Sequence, residues 1–310
     1  TVERAEPATV EDTEFRLPNV SEDGATFDPA VASAIEVKHL FGYFFVHPLV
    51  DGKDVGWFFL DTGAGAMVLD IEAAKGLSVK PVGSRTVAGV VATIQTPIVR
   101  GSEFKLGPVS IAHPTFLELD VSSIGRMFNL KLGGICGYDF ISRASLEIDA
   151  RTPSIKVFPP GKAVLPASSS WTGFDFTANL MCLKCRFEGG HEGYFTLDTG
   201  SGSAVDFTAP TVEKFDLLKD RQTTPTRVGG AGGVTAAKQG RLDWIEVAGN
   251  RVANVLAGFQ TTKAGVYASP YLAGNLGAGV LGRFDLLLDY RNQRLALVPF
   301  APAKATATGG

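Results

Sequence analysis

The feature that most constrains the fold of this chain is a short motif that occurs twice. Residues 56–70 read GWFFLDTGAGAMVLD and residues 193–206 read GYFTLDTGSGSAVD, so an apolar strand runs into Asp-Thr-Gly in both places. The sequence numbers of the two aspartates, Asp61 and Asp198, differ by 198 − 61 = 137. An isolated carboxylate is costly to bury, so each one marks a surface turn or a charge with a function. Recurrence in matched surroundings predicts two copies of one structural unit.

A second repeated segment supports this division. Residues 145–159 (SLEIDARTPSIKVFP) align without a gap with residues 285–299 (DLLLDYRNQRLALVP), and Asp149 matches Asp289. The shift between them, 289 − 149 = 140, is close to the shift between the two Asp-Thr-Gly motifs. The chain is therefore expected to contain the same fold twice, one copy after the other.

Each copy also has an apolar step bounded by glycines. We place this step at residues 134–137 (GICG) in the first copy and at residues 279–282 (GVLG) in the second. The interval from the start of the step to Asp149 is 149 − 134 = 15, and the interval to Asp289 is 289 − 279 = 10. The shorter interval predicts that the helix after the step is trimmed in the second copy.

The copies and the segments around them give the expected organisation of the chain. Residues 1–34 carry eight acidic and two basic residues, a charge balance typical of a loosely attached arm. Proline and serine are frequent in residues 159–170 (PPGKAVLPASSS), as in a linker. The expected parts are an N-terminal arm (1–34), a first lobe (35–160), a linker (161–170), a second lobe (171–300) and a tail (301–310).

Local patterns predict an all-β fold. Short segments rich in Val, Ile, Phe and Thr alternate with Gly, Pro or Asn, which is typical of strands and turns. A small helix is expected after each Asp-Thr-Gly strand pair, at residues 70–77 and residues 208–218. Asp70 and Thr208 are the expected N-caps, because their side-chain oxygens can accept bonds from free backbone N–H groups.

Composition argues against several classes of function. The formal net charge is −3 and charges form no long runs, so no nucleic-acid partner is expected. No apolar segment reaches the roughly 20 residues that cross a bilayer, so no membrane span is expected. Cys182 and Cys185 are interpreted as strand residues, and the histidines show no ligand spacing, so no metal or cofactor is expected. The first residue is Thr1, which is compatible with a removed targeting segment; we favour a periplasmic or secreted protein and leave the compartment open.

These residues carry a resemblance to a known family. Two D-T-G-x-G motifs, each after an apolar strand and each followed by an apolar-apolar-Gly step, are similar to those of the aspartic proteases, the pepsin/retropepsin-like superfamily. One copy resembles the retropepsin-type subunit, and the chain resembles the pepsin arrangement over nearly all of residues 35–300. The resemblance implies a bilobal fold of two retropepsin-like β-barrel lobes related by pseudo-twofold symmetry. It also implies a monomer that hydrolyses an extended peptide or protein substrate.

The resemblance implies that Asp61 and Asp198 are the catalytic pair. Two carboxylates that share one proton can deprotonate a water molecule and protonate a carbonyl oxygen in the same step. Their mutual repulsion keeps one of them protonated. The residues expected to support the pair are Thr62, Gly63, Ala64, Thr199, Gly200 and Ser201.

The supporting residues have different expected roles. Gly63 and Gly200 would allow a close approach of the backbone. By resemblance, Thr62 and Thr199 are expected to form hydrogen bonds across the two lobes.

The two motifs differ three residues after the aspartate, where the first copy has Ala64 and the second has Ser201. By resemblance, the Ser201 hydroxyl is expected to contact the outer oxygen of Asp198. A hydrogen bond donated to the charged form favours that form. We therefore expect Asp198 to ionise more readily and Asp61 to hold the shared proton.

The resemblance also implies β-hairpin flaps that close over the substrate. Residues 86–98 and residues 227–240 are the candidates, and for the second the alternative is a surface loop. Neither segment contains the tyrosine that pepsin-like enzymes carry in the flap, so both flaps resemble the retropepsin type. The expected tip residues are Gly89, Val90, Gly230, Ala231 and Gly232.

Two classes of function remain open at this stage. The first is an aspartic endopeptidase; the second is a protein of the same fold that binds a partner or carries out other acid-base chemistry on a small molecule. The dinucleotide-binding fingerprint is disfavoured, because Val68 stands where that pattern requires its third glycine. Retention of both Asp-Thr-Gly triplets favours the endopeptidase, since a binding protein has no use for a costly pair of carboxylates.

Overall fold

A computed structural model describes residues 24–89, 93–167, 169–230, 233–263 and 265–300. Strands account for 52% of the structure and helices for 14%, which confirms the all-β class. In the first half of the chain the strands are β1 (Ala25–Phe27), β2 (Ala34–Ile35), β3 (Val37–Leu40), β4 (Tyr43–Val46), β5 (Leu49–Val50), β6 (Lys53–Asp54), β7 (Trp57–Leu60), β8 (Val68–Asp70), β9 (Lys80–Ala88), β10 (Thr93–Arg100), β11 (Glu103–Leu106), β12 (Val109–Ala112), β13 (Thr115–Leu119), β14 (Leu132–Cys136), β15 (Ser145–Asp149) and β16 (Ser154–Phe158).

In the second half the strands are β17 (Thr172–Gly173), β18 (Asp175–Thr177), β19 (Leu180–Phe187), β20 (His191–Leu197), β21 (Val205–Phe207), β22 (Thr223–Gly230), β23 (Gly233–Val247), β24 (Asn250–Gln260), β25 (Gly274–Leu276), β26 (Phe284–Asp289) and β27 (Arg294–Pro299). The α-helices are short: α1 (Ile71–Lys75), α2 (Ser122–Phe128), α3 (Tyr138–Ile141), α4 (Ala209–Lys214) and α5 (Ala278–Leu281). Single 3₁₀ turns lie at Glu188–Gly190, Gly265–Ala268 and Tyr290–Asn292.

Two eight-stranded sheets repeat the same topology. Their strand orders are β3-β4-β7-β14-β8-β13-β10-β9 and β18-β19-β20-β25-β21-β24-β23-β22, so every strand of one sheet has a counterpart in the other. In the first sheet β7, the strand before Asp-Thr-Gly, pairs in parallel with β14, and β14 pairs antiparallel with β8. In the second sheet β20 pairs in parallel with β25, and β25 pairs antiparallel with β21. This correspondence confirms the two-lobed repeat expected from the sequence.

A six-stranded sheet joins the lobes, in the order β17-β27-β26-β15-β16-β2. Its central pair, β15 and β26, aligns Leu146 with Leu288 and Ile148 with Leu286. The repeat shift of 140 relates the two pairs. Leu146 corresponds to Leu286, since 146 + 140 = 286, and Leu288 corresponds to Ile148, since 288 − 140 = 148. The joining sheet therefore maps onto itself under the pseudo-twofold relation between the lobes.

The expected loose arm is structured at its end. Strand β1 pairs with β12 and extends a five-stranded sheet, and Phe27 packs against the main core. Apolar side chains at Ala25 and Phe27 flank Thr26, and this short alternation is enough for an edge strand. Residues 1–23 and the tail 301–310 lie outside the described residues. The linker, as far as it is described, contains neither helix nor strand.

The placement of the second glycine step was wrong. The counterpart of β14 and residues 134–137 is β25 and residues 274–277 (GNLG), while residues 279–282 lie in helix α5 and its C-cap. The interval to Asp289 is then 289 − 274 = 15, equal to that in the first lobe, and α3 and α5 both have four residues. The second helix is therefore not trimmed.

Both helices expected after the motifs are present. Asp70 caps α1, since its carboxylate accepts bonds from Glu72 N (2.9 Å) and Ala73 N (3.3 Å). Thr208 precedes α4 as expected, but its hydroxyl bonds Leu272 O (2.9 Å) and caps no backbone N–H of the helix. In strand β19, Cys182 and Cys185 are buried free thiols, so their interpretation as strand residues is confirmed.

The apolar core is continuous through both lobes. The first lobe has in addition a separate apolar cluster, which helix α2 covers through Phe128. We call it the first-lobe cluster; its buried members are Phe45, Phe59, Val68, Leu117, Val121, Phe128 and Leu132. Ile135 and Leu119 pack against it and are partly buried.

Candidate active site

The two Asp-Thr-Gly loops meet where the lobes face each other. Asp61 follows β7, and its backbone N–H donates to Cys136 O at the end of β14 (3.1 Å). Asp198 follows β20, and its N–H donates to Leu276 O at the end of β25 (2.8 Å). Each aspartate is thus fixed by a neighbouring strand of its own sheet, which aims both side chains at the boundary between the lobes.

The two threonines link the loops by four reciprocal hydrogen bonds. Thr62 Oγ1 donates to Leu197 O (2.7 Å), and Thr199 Oγ1 donates to Leu60 O (3.0 Å). Each hydroxyl also accepts from the other loop, since Thr62 N lies 3.1 Å from Thr199 Oγ1 and Thr199 N lies 3.0 Å from Thr62 Oγ1. These are the bonds across the lobes that the resemblance implied, and they hold the aspartates at a fixed separation.

The glycines of the motifs are required by close approach. A Cβ on Gly63 would lie 2.4 Å from Asp198 Cγ, and one on Gly200 would lie 2.5 Å from Asp61 Cγ. No side chain fits at such distances, so each loop brings bare backbone against the opposite carboxylate. Each glycine also donates its N–H to Oδ1 of its own aspartate, at 2.7 Å for Asp61 and 2.8 Å for Asp198.

The two carboxyl groups interact directly. Burial raises the pKa of Asp61 well above its usual range, and the charge and hydrogen bond of Asp198 raise it further. Burial also raises the pKa of Asp198, but hydrogen bonds from Asp61, Asn275 and backbone N–H groups oppose this increase. The asymmetry favours a pair in which Asp61 carries the proton and Asp198 is ionised, and the two titrate as a unit.

Asn275 accounts for much of this asymmetry, and the sequence analysis missed it. Its Nδ2 donates to Asp198 Oδ2 (3.0 Å), and its Oδ1 accepts from Thr196 Oγ1 (2.7 Å). The corresponding residue beside Asp61 is Ile135, which can donate nothing. The signal in the sequence is the interval of 15 residues between the glycine step and the later aspartate, which is the same in both lobes. A criterion of apolar residues excludes residues 274–277, because Asn275 is polar.

The predicted role of the Ser201 hydroxyl was wrong. Ser201 Oγ lies 2.8 Å from Ser203 Oγ, and the outer oxygen of Asp198 is bonded by Asn275 instead. The Ser201 backbone N–H does help to lower the pKa of Asp198. Ala64, in the matching position of the first lobe, accepts a backbone bond from Tyr138 N (2.9 Å), as Ser201 does from Ala278 N (2.7 Å).

Comparison with known proteins agrees with this geometry. The family model described as Aspartyl protease matches residues 46–140 and residues 183–283, which is 95 + 101 = 196 of the 310 residues. The chain belongs to the aspartyl protease family. Each matched region contains one Asp-Thr-Gly motif, and the family suggests a peptidase. No curated protein matches the chain.

Hairpins form at both of the segments that were predicted to be flaps. Strands β9 and β10 form the first and strands β22 and β23 form the second, so the second segment is not an irregular loop. Gly89 O accepts a bond from Val266 N (3.2 Å), which joins the first hairpin to a 3₁₀ turn of the second lobe. Gly230 ends β22. The closing of the second hairpin over the substrate stays a prediction. The predicted tip residues Val90, Ala231 and Gly232 lie outside the described residues.

Three further properties of the described residues concern metal binding, the thiols and membrane-spanning helices. Among the described residues, no group of three or more His, Cys, Asp and Glu side chains is arranged to hold a metal ion. Burial raises the pKa of all three thiols, to about 11 for Cys182, so none of them is a ready nucleophile. In the described part of the chain no helix is long and apolar enough to cross a membrane.

Proposed function

We propose that this protein is an aspartic endopeptidase that hydrolyses peptide bonds with a water molecule activated between Asp61 and Asp198. One observation carries the proposal: two carboxyl groups form a hydrogen bond to each other, in matched loops whose glycines each lie against the opposite carboxylate. A pair that is only structural would gain nothing from this arrangement, since like charges at such a distance destabilise each other.

Each carboxyl group has a definite role in the proposed reaction. Asp198, ionised and bonded by Asn275, accepts a proton from the water as its oxygen attacks the peptide carbonyl carbon. Asp61 donates its proton to the carbonyl oxygen, so the tetrahedral intermediate forms without a free oxyanion. The proton on Asp198 then passes to the leaving nitrogen as the C–N bond breaks. Asp61 recovers its proton from the collapsing intermediate, and the starting state is restored.

The location of the pair supports an endopeptidase that accepts an extended peptide. The aspartates lie at the boundary between two eight-stranded sheets, and a hairpin of the first lobe reaches across to Val266 of the second. Extended peptides can bind along the edge of a β-sheet or hairpin by main-chain hydrogen bonds. Because one chain supplies both aspartates, we also propose that the monomer is the active form.

The test is cleavage of a mixed peptide library by the full chain and by two variants, Asp61→Asn and Asp198→Asn. Both variants should lose detectable hydrolysis while keeping the unfolding midpoint of the parent, because an amide cannot share the proton. Asp120→Asn, a change at an exposed carboxylate in the same lobe as Asp61, is the matched control and should keep full activity. Specific binding of peptides without cleavage would favour the alternative of a binding protein with this fold. Activity that rises with the square of protein concentration would exclude the monomer.

A further inference from the structure

The second lobe carries a buried carboxyl group that has no equivalent in the first. Asp206 in β21 is the counterpart of Val68 in β8. Each lies two residues before the N-cap of the following helix, since 208 − 206 = 2 and 70 − 68 = 2. Val68 pairs across the sheet with Ile135, and Asp206 pairs with Asn275. An apolar pair in one lobe is thus a polar pair in the other.

This carboxyl group lies on the face of the sheet that contains Asn275. Directly paired residues of antiparallel strands have their side chains on the same face, and Asn275 reaches Asp198 from that face. On the next strand, Gly258 is paired with Asp206, and a Cβ at that position would lie 2.2 Å from Asp206 Oδ1. Gln260, two residues further along β24, shares this face. Asp206 and Gln260 therefore lie on the sheet face from which Asn275 contacts Asp198.

Both side chains are deeply buried and incompletely bonded. Asp206 is 2% exposed, and Ser203 donates a hydrogen bond to its carboxyl group, but Oδ2 has no partner among the described residues. Gln260 is 1% exposed, and neither its Oε1 nor its Nε2 has a partner there. An unbonded buried polar atom costs about 1–3 kcal/mol, so two such side chains together indicate a ligand. The matching first-lobe residues, Val68 and Leu119, pack in or against the apolar first-lobe cluster.

A 3₁₀ turn of the second lobe lies close to Asp206. The 3₁₀ turn Gly265–Ala268 holds the buried Tyr267, whose phenol pKa is raised by burial and by the charges of Asp206 and Asp198. The adjacent Val266 N–H bonds Gly89 O in the first hairpin. This bond connects the first hairpin, a predicted flap, to the turn beside Asp206.

We infer that Asp206 and Gln260 form a specificity subsite for a basic side chain, lysine or arginine, close to the scissile bond of the substrate. The inference rests on the proposed endopeptidase function. A carboxylate oxygen and an amide oxygen are both acceptors, and an ammonium or guanidinium group donates to several acceptors at once. Opposite charge at the site would also favour the ionised form of Asp206.

The experiment compares kcat/KM for three fluorogenic peptide sets that differ only near the scissile bond, where they carry Arg or Lys, Leu, or Glu. The full chain should prefer the basic set over the Leu set by about tenfold or more, the size expected for one charge-assisted hydrogen bond. Asp206→Asn should lose most of this preference, because its kcat/KM for the basic set should fall towards its kcat/KM for the Leu set. Gln260→Leu, which introduces the first-lobe residue, should reduce the preference in the same direction and serves if Asp206→Asn does not fold. Asp120→Asn is the control and should keep the preference.

The outcomes separate the inference from the proposed function. Cleavage without a basic preference, or a preference that survives both subsite variants, would overturn the subsite and leave the endopeptidase intact. If no peptide is cleaved and Asp61→Asn behaves like the parent chain, the proposed function fails and the subsite fails with it.

Discussion

Replacement of Asn275 by isoleucine, the residue at the matching position of the first lobe, tests the assigned roles of the two aspartates. Asn275 donates a 3.0 Å hydrogen bond to Asp198 Oδ2 and therefore stabilises the ionised carboxylate. Without this bond the pKa of Asp198 should rise. The proposed reaction requires an ionised Asp198, so the acidic limb of the pH profile should move to higher pH. The variant should then lose activity at acidic pH values at which the parent chain still works.

The size of the shift follows from the contact. A hydrogen bond to a charged group contributes about 1.5–3 kcal/mol, and one pKa unit corresponds to about 1.4 kcal/mol. Asn275 is only partly buried, so the lower end of this range applies and the acidic limb should move by about one unit. Thr196→Val, which removes the donor that orients the asparagine amide, should move the limb in the same direction by less.

The assay is the pH dependence of kcat/KM on one peptide, with the unfolding midpoint of each variant measured at the same pH values. Ser201→Ala is the informative comparison, because its hydroxyl bonds Ser203 rather than Asp198. We expect it to move the limb much less than Asn275→Ile. An unchanged limb in a folded Asn275→Ile variant would refute the assignment of Asp198 as the ionised partner. A larger shift with Ser201→Ala would restore the hydroxyl to the role first expected of it.

Three further predictions concern the framework of the site. Thr62→Val leaves Leu197 O without its donor, so the free energy of unfolding in denaturant should fall by about 1–3 kcal/mol; an unchanged value would mean that the threonine bonds do not hold the lobes. Gly63→Ala places a methyl group against the opposite carboxylate, so kcat should drop below detection while circular dichroism stays native; normal turnover would contradict the close approach. Asp70→Ala removes the cap of α1 and the acceptor of Val121 N (3.1 Å), so thermal unfolding should show a loss of about 1–2 kcal/mol, and a loss of a few tenths would show that the cap contributes little.

Features that depend on local pattern could be predicted from the sequence. The two Asp-Thr-Gly loops, the all-β class and the start of helix α1 follow from residues close together in the chain, whereas the threonine bonds between the loops were expected only from the resemblance to the aspartic proteases. The second glycine step could not be found by its apolar character, because Asn275 interrupts that character. Asn275 is also the residue that makes the surroundings of Asp198 differ from those of Asp61. A rule based on the pattern that both lobes share therefore excludes it.

The contact of the Ser201 hydroxyl lay beyond sequence reasoning for a different reason. The motif in the second lobe has one more residue between the aspartate and the following helix than the motif in the first, since 208 − 198 = 10 and 70 − 61 = 9. In this longer turn Ser201 Oγ lies 2.8 Å from Ser203 Oγ, whereas the first-lobe turn has Ala64 and Ala66 and therefore no side-chain hydroxyl at these positions. A difference of one residue in a tight turn alters side-chain direction, which residue type alone does not specify.

The joining sheet has a consequence for how the molecule reaches its working state. Strands β15 and β26 pair segments that lie far apart in the chain, such as Leu146 with Leu288, and closing so long a loop is entropically costly. Each lobe can form most of its own sheet before that cost is met, so docking of the lobes should be the slow and late step of refolding. Catalytic competence should then return after secondary structure does. Separate fragments divided within residues 161–170 should regain activity only on mixing, at a rate that depends on the concentration of both.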